Sequence, residues 1–296
     1  MEGDGASFAW YELLTTDVKG ASTFYGSVLN WEAKDISTPG LSYNLFMSGG
    51  SPRTGLMELP EEGRRQGAMP RWIGYVGVGD IDATVGLMQK LGGAVYVPPT
   101  NTNIGRISIV ADPQRATFGL VGGLKVAPSM VADLDAPWGV CWHELLAADW
   151  RKAFTFYSEV FGWQQAQSNV AADEPYQLFS AGGLTAGGIF NKRPLEAIPF
   201  WLYYFDVDDI DAAMGRVKTG GGRVYAGPVE LPDGSWIVRC LDPQGAAFAL
   251  QGARSQDGIA KAPAAEYRWT SSWGGISSQG RWRNDRPAGK GRPPGK

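Results

Sequence analysis

Histidine and cysteine, on which much metal and nucleophilic chemistry depends, are almost missing from this chain. Among 296 residues there is one histidine, His143, and there are two cysteines, Cys141 and Cys240. Both cysteines sit inside apolar, strand-like runs and lack a paired spacing, so the expectation is two buried thiols in a reducing, cytoplasmic setting and no disulfide framework. Carboxylates are the next source of chemistry, and two of them stand in matching contexts: Glu12 in WYELLTTD and Glu144 in WHELLAAD. Each alternates with a tryptophan, Trp10 or Trp142, so a strand places each acid and its indole on one face. A carboxylate on an apolar sheet face is costly unless paired or hydrogen-bonded. Two roles are therefore open to each. It can be a general base with a raised pKa, or a holder of a polar ligand group. Alternatively it is a buried fold-fixing acid that accepts from loop amides or from an arginine such as Arg106.

The matching contexts belong to a duplication. FAWYELLTTD (Phe8 to Asp17) returns as VCWHELLAAD (Val140 to Asp149), 132 residues later. At the same shift FYGSVLNW returns as FYSEVFGW. PRWIGYVGVGDIDA returns as PFWLYYFDVDDIDA after 129 residues, and GRISIVADPQRATFGL as SWIVRCLDPQGAAFAL after 130. Four blocks in one order, with small drifts confined to loops, define two copies.

Each copy must supply the elements that position its acid. Residues 8–15 alternate as a strand, and Thr16 and Asp17 can cap an amphipathic helix ending near Leu29. Short strands are expected around Lys34, Tyr43–Phe46 and Gly55–Leu59. A second cycle follows, with a strand near Trp72–Val78, a helix over Asp82–Leu91 stopped by Gly92-Gly93, and three more strands. The last two strands are joined at Asp112-Pro113-Gln114-Arg115, repeated as Asp242-Pro243-Gln244-Gly245, with proline where a type I turn prefers it. Each copy thus reads β-α-β-β-β twice. Two such units side by side give an eight-stranded, strongly curved sheet with helices outside and a cleft inside.

Composition sets the outer limits. A 44% apolar and 12% aromatic chain buries a real core, and a formal charge of −3 points to neither nucleic acid nor an acidic surface as partner of the whole molecule. The N-terminal MEGDGASFAW carries acid and no apolar stretch, so no signal peptide is expected, and no run approaches the ~20 apolar residues of a membrane span. The organisation expected is a first module over 6–123, a linker over 124–137, a second module over 138–253 and a tail over 254–296. The tail ends in RWRNDRPAGKGRPPGK, reads as disordered and basic, and includes Trp269, Trp273 and Trp282. It is a candidate for contact with RNA, an anionic membrane or an acidic partner, against the simpler role of a solubilising tail.

The β-α-β-β-β order, FYxxVLxW at the end of the first helix, the VxDIDA helix entry and the DPQxxxF hairpin together resemble the vicinal-oxygen-chelate superfamily. That superfamily includes glyoxalase I, extradiol dioxygenases and bleomycin-resistance proteins. The resemblance covers both copies and implies an α+β fold of two tandem modules, each a pair of βαβββ units. It specifies fold well and chemistry poorly, because one scaffold hosts several reactions. In metal-dependent members a divalent ion is held by His or Gln on the first and fifth strands and Glu on the eighth, with a further carboxylate at the end of the fourth in glyoxalase I. Mapped here, the first-strand position falls on Trp10 and Trp142. The fifth falls near Trp72 or Ile73 and near Trp201 or Leu202, and the eighth on Gly119 and Ala249. Only Glu58, opposite Asn191 in the repeat, offers a match on the fourth strand. Indole and alkyl groups do not ligate metals, so no cofactor is expected, with a divalent metal left open and Glu58 and His143 as fallback ligands.

His143 lies one residue past the ligand position, and strand alternation sends it to the face away from the cleft. It is either a base or ligand, or a polar-tipped residue packed under a helix or at the module interface. The cleft-facing residues are expected to be Trp10, Phe46 and Trp72 in the first copy and Trp142, Phe179, Trp201 and Trp236 in the second. Such a lining suits a flat or apolar small molecule, and equally a core without ligand. The loops Pro60–Met69 and Asn191–Ile198 sit where lids would, and Arg64 and Arg65 in the first are placed to meet an anionic substrate or to remain solvated. The function expected is metal-independent binding of a small apolar or aromatic molecule. The alternative is a glyoxalase-class lyase or isomerase, or a dioxygenase, using Glu12 or Glu144 as base with an atypical metal site.

Overall fold

A computed structural model describes residues 6–40, 42–102, 104–125, 139–166, 176–193 and 198–254 of the chain. Most of the expected linker and nearly all of the tail, with Trp269, Trp273 and Trp282, lie outside the described residues.

The first module runs β1 (Phe8–Thr15), α1 (Val18–Leu29), β2 (Glu32–Asp35), β3 (Asn44–Ser48), β4 (Ser51–Glu58), a short α2 (Glu61–Arg65), β5 (Arg71–Gly77), α3 (Ile81–Lys90), β6 (Ala94–Asn101), β7 (Arg106–Ala111) and β8 (Thr117–Gly122). The second runs β9 (Val140–Ala147), α4 (Trp150–Phe161), β10 (Gln164–Gln165), β11 (Tyr176–Ala181), β12 (Leu184–Asn191), β13 (Phe200–Asp209), α5 (Ile210–Thr219), β14 (Arg223–Glu230), β15 (Trp236–Leu241) and β16 (Ala247–Ala253). Each module forms one eight-stranded sheet, ordered β2-β3-β4-β1-β5-β8-β7-β6 in the first and β10-β11-β12-β9-β13-β16-β15-β14 in the second. The duplication therefore appears strand for strand. In both sheets the two βαβββ halves meet along an antiparallel central pair, β1 with β5 and β9 with β13.

The four long helices start alike, and the expected cap Asp17 is one of four. Asp17, Asp80, Asp149 and Asp209 are their N-caps, each accepting a backbone N–H from the first turn, which satisfies donors that the helix itself cannot. No helix among the described residues is long and apolar enough to cross a membrane.

The helix-side faces of the two sheets share one continuous buried cluster that includes Phe24, Tyr25, Trp72 and Phe118 from the first module and Tyr157, Trp201, Phe205 and Phe248 from the second. Two hydrogen bonds stitch it reciprocally. Tyr25 of α1 donates to Asp242 at 3.1 Å, and Tyr157 of α4 donates to Asp112 at 3.2 Å. The FY and DPQ motifs of one copy thus lock onto those of the other. Each acid also accepts two backbone N–H bonds within its own turn. The opposite sheet faces carry two smaller and separate clusters, one around Trp10, Tyr43, Ile73 and Tyr75, the other around Leu146, Leu202, Tyr204 and Ala249.

Candidate functional site

Cross-strand partners share a face of a sheet, so the register decides which residues can meet Glu12 and Glu144. Glu12 pairs with Ile73 and Trp10 with Tyr75, while Trp72 pairs with Leu13. Glu144 likewise pairs with Leu202 and Trp142 with Tyr204, while Trp201 pairs with Leu145. Of the seven aromatic residues expected around the acids, only Trp10 and Trp142 lie on their face. Phe46, Trp72, Phe179 and Trp201 are buried in the helix-side cluster, and Trp236 packs against it with the Arg254 guanidinium 4.6 Å from its ring. The expected parity of these strands was one residue out. On the fifth strand of each module the inward residue is Ile73 or Leu202, beside the tryptophan.

Tyrosines and one arginine take the places those aromatics were expected to fill. In the first module Tyr43 donates to Glu12 Oε1 at 2.5 Å and Tyr75 donates to Oε2 at 2.5 Å. Trp10 Nε1 in turn donates to the Tyr43 oxygen at 3.1 Å. The network is sealed, with Trp10 1% and Glu12 2% exposed. No cation among the described residues pairs with Glu12. Burial raises its pKa, opposed by the bonds from Tyr43, Tyr75 and Trp10.

The second module repeats the pattern with one addition. Tyr204 donates to Glu144 Oε2 at 2.6 Å, Tyr176 donates to Oε1 at 3.1 Å, and Trp142 Nε1 donates to the Tyr176 oxygen at 3.0 Å. Arg239 then pairs with Glu144 Oε2 through Nη2 at 2.6 Å and donates from Nε to Tyr204 at 3.1 Å. Burial acts to lower the guanidinium's pKa, but the Glu144 charge and Tyr204 together outweigh it and the pKa is raised. The first-module residue at the arginine's position is Ile109. Partly buried Phe190, Phe200 and Ile237 lie on this face as Met57 and Ile107 do on the first module's, but Trp142 is partly buried where its counterpart Trp10 is buried. Arg106, the arginine weighed from sequence as a partner for the acids, pairs with Asp82 instead.

The signal for these residues is present in both copies. Tyr43-Asn-Leu-Phe46 matches Tyr176-Gln-Leu-Phe179, and Tyr75 matches Tyr204. Each tyrosine recurs at the parity of the acid it serves.

Other candidates are occupied elsewhere. His143 is buried between the modules, bonded to Tyr11 and to the Ala186 carbonyl. Glu58 is exposed and pairs with Arg64 at 3.4 Å, and Arg65 pairs with Glu61. Cys141 is half-buried and Cys240 buried, and both are free thiols. Burial pushes Cys240 up to about 12 and raises Cys141 as well.

The first- and eighth-strand positions to which the resemblance assigns metal ligands lie in one row across each sheet. Trp10 pairs with Tyr75, Tyr75 with Gly119, and Gly119 with Ile109. A side chain added at Gly119 would collide with the Tyr75 ring, so the phenol fills the space of the eighth-strand ligand. The second row runs Trp142, Tyr204, Ala249, Arg239. Indole, glycine and methyl groups offer no donor at these positions, and a resident guanidinium repels a cation. These residues do not fit a divalent ion, and no group of three His, Cys, Asp or Glu residues among the described residues is arranged to hold one.

A family model described as the Glyoxalase/Bleomycin resistance protein/Dioxygenase superfamily matches residues 7–120 and 141–250. "Putative glyoxylase CFP32" of Mycobacterium tuberculosis (strain CDC 1551 / Oshkosh) is 31% identical over 246 residues, covering 81% of this chain and 92% of that protein. Anthracycline biosynthesis protein DnrV of Streptomyces peucetius is 33% identical over 121 residues, 41% of this chain and 43% of that one. Among solved structures, the Mn(II)-bound glyoxalase from Novosphingobium aromaticivorans superposes with a TM-score of 0.56 at 15% identity, covering 86% of this chain and 83% of that one. An extradiol ring-cleaving dioxygenase from B.fuscum does so with a TM-score of 0.59 at 16% identity, over 88% and 75%. Through both of its modules, this chain belongs to the glyoxalase/bleomycin resistance protein/dioxygenase superfamily.

Proposed function

We propose that the chain binds a small apolar or aromatic molecule without a metal ion, and that the sheet face of the second module that carries Trp142 is where it binds. One observation carries this. Partly buried Trp142, Phe190, Phe200 and Ile237 surround a Glu144–Arg239 pair whose charges are already balanced. Flat apolar walls around a few fixed polar groups are the usual make-up of a small-molecule site. The matching face of the first module buries its tryptophan fully, with Trp10 at 1% exposure, and serves as a structural counterpart. Titration of the full chain with 2-naphthol in the presence of chelator, followed by tryptophan fluorescence, tests the reading. Saturable binding that is lost in Trp142→Ala and kept in Trp10→Phe is expected. No binding, or binding indifferent to Trp142, would refute it.

A second reading is an enzyme of the glyoxalase or dioxygenase class with Glu12 or Glu144 as general base. The observation that favours it is the buried Glu12, whose pKa is raised by burial, the direction a general base needs. Turnover of a dicarbonyl or catechol substrate abolished by Glu12→Gln or Glu144→Gln is its expected result, and unaffected turnover in both variants removes the assigned roles.

A further inference from the structure

The second module carries a cation on its sheet face where the first has an apolar residue. Arg239 stands where the first module has Ile109, in a row with Ala249, Tyr204 and Trp142. The guanidinium is fixed from three sides: by Glu144 through Nη2, by Tyr204 through Nε, and by the Phe190 ring 5.4 Å from its centre. A side chain so held has already lost the rotamer freedom that a ligand would otherwise have to remove. Ala249 beside it contributes only a methyl group. Glu144 is loaded unevenly. Its Oε2 accepts from both Tyr204 and Arg239, whereas among the described residues its Oε1 accepts from Tyr176 alone. A carboxylate oxygen offers two lone pairs, so Oε1 has capacity for a second donor. The pair, with Glu144 5% and Arg239 9% exposed, therefore sets an acceptor and a cationic donor side by side beneath the aromatic walls.

Resting on the reading that this face binds ligand, we propose that the Glu144–Arg239 pair selects planar molecules whose rim carries an N–H or O–H next to a carbonyl oxygen. The ligand's donor goes to Glu144 Oε1 and its carbonyl accepts from the Arg239 guanidinium, while Trp142 and Phe190 flank the ring. A neutral ligand is required, since a bare carboxylate would face Glu144 and a cation would face Arg239. The chemical class is that of lactams and ring hydroxyketones. Arg239 is a specificity-determining residue here, and the first module, with Ile109, lacks the selection.

Calorimetric titration of the full chain, with chelator present, tests this using 2-quinolone and its N-methyl derivative, which keeps the ring and the carbonyl and loses the donor. Hydrogen bonds to charged groups predict that 2-quinolone binds about tenfold to a hundredfold more tightly than the N-methyl compound. Arg239→Met combined with Glu144→Leu replaces the ion pair with apolar groups of similar volume, a change that buried pairs often tolerate. In that variant the two compounds are expected to bind equally. Equal binding to the unmodified chain overturns the proposal and leaves the binding reading intact, and that comparison needs no variant to fold. A preference seen only when chelator is left out also overturns it. Binding of neither compound overturns the proposal together with the reading beneath it.

Discussion

Tyr11 and His143 occupy corresponding positions in the two copies, and across the module interface the phenol of one donates to the imidazole Nε2 of the other at 2.6 Å. The other ring nitrogen, Nδ1, lies 2.6 Å from the Ala186 carbonyl, which can only accept, so Nδ1 carries the proton and Nε2 is the acceptor. Phe8 stacks on the imidazole with centroids 4.3 Å apart. The chain's lone histidine is thus spent on joining the modules, with both nitrogens satisfied in the neutral form.

Neutrality at that position predicts a titration. Burial lowers His143 to about 4, with only the Ala186 bond acting in the opposite direction. A histidine with a depressed folded pKa contributes stability that is complete above its unfolded value near 6.5 and is lost as pH falls through the folded value. The window is therefore roughly pH 6.5 down to 4, and the full loss is about 3 kcal/mol. Because the chain has a single histidine, its ring resonances are unambiguous in a nuclear magnetic resonance titration. A midpoint near 4 is expected; one near 6.5 would show that the imidazole is not sealed between the modules.

The reciprocal bonds Tyr25–Asp242 and Tyr157–Asp112 predict matched costs. Each hydroxyl also accepts from a tryptophan, Trp72 at 2.9 Å or Trp201 at 3.0 Å. Tyr25→Phe or Tyr157→Phe therefore strands both a buried indole N–H and a carboxylate oxygen. Losses of about 2–4 kcal/mol each are expected from unsatisfied buried groups, read as shifts in urea midpoint. One transition in each variant is also expected, because the shared core couples the modules. Two separate transitions would show that they unfold independently.

The fold was legible because its signals repeat. Strand alternation, aspartate caps and the Asp-Pro turns occur twice in the same order, and each rests on local chemistry that needs no partner. The site was half legible. Glu12 and Glu144 announce themselves by recurring on an apolar strand, and Trp10 and Trp142 follow from alternation along that same strand. Phe46, Trp72, Phe179 and Trp201 were expected beside them, but they belong to other strands, whose register relative to the first depends on pairing that lies outside any local pattern. A one-residue error there moves a whole side of the strand to the opposite face. Arg239 was hidden differently. It lies in SWIVRCL, where Ile109 stands in the other copy, so the repeat itself suggested an apolar position.

Unequal burial of the two leading indoles predicts unequal costs. Trp10 is 1% exposed within a packed cluster, whereas Trp142 is only partly buried. Trp10→Ala should cost about 3–5 kcal/mol, as for large buried aromatic residues generally. Trp142→Ala should cost about half as much or less, since less surface is removed from contact. Guanidinium denaturation of both variants measures the difference. Equal losses would mean that the second-module face is as tightly packed as the first and is closed to ligands.

Ile109 offers the sharpest test of what Arg239 does. The two residues hold the same place in their rows, next to Gly119 and Ala249. Glu12 already has the two phenols that Glu144 has, and lacks only the cation. Ile109→Arg should therefore be accepted at a site where an arginine would ordinarily be destructive. The pH dependence should also weaken. In the natural chain Glu12 has a raised pKa, so its contribution is present below the unfolded value and is lost as pH rises through the folded one. With a guanidinium introduced beside Glu12 the folded pKa falls back toward the unfolded one, and the loss on raising pH shrinks. Urea midpoints at acid and neutral pH for the natural chain, Ile109→Arg, Glu12→Gln and the double variant form a mutant cycle. A coupling of about 1.5–3 kcal/mol at neutral pH, vanishing in acid, is expected for a charge-assisted bond. A coupling near zero would mean that the first module's face cannot seat the guanidinium, and that Arg239 depends on surroundings found only in the second.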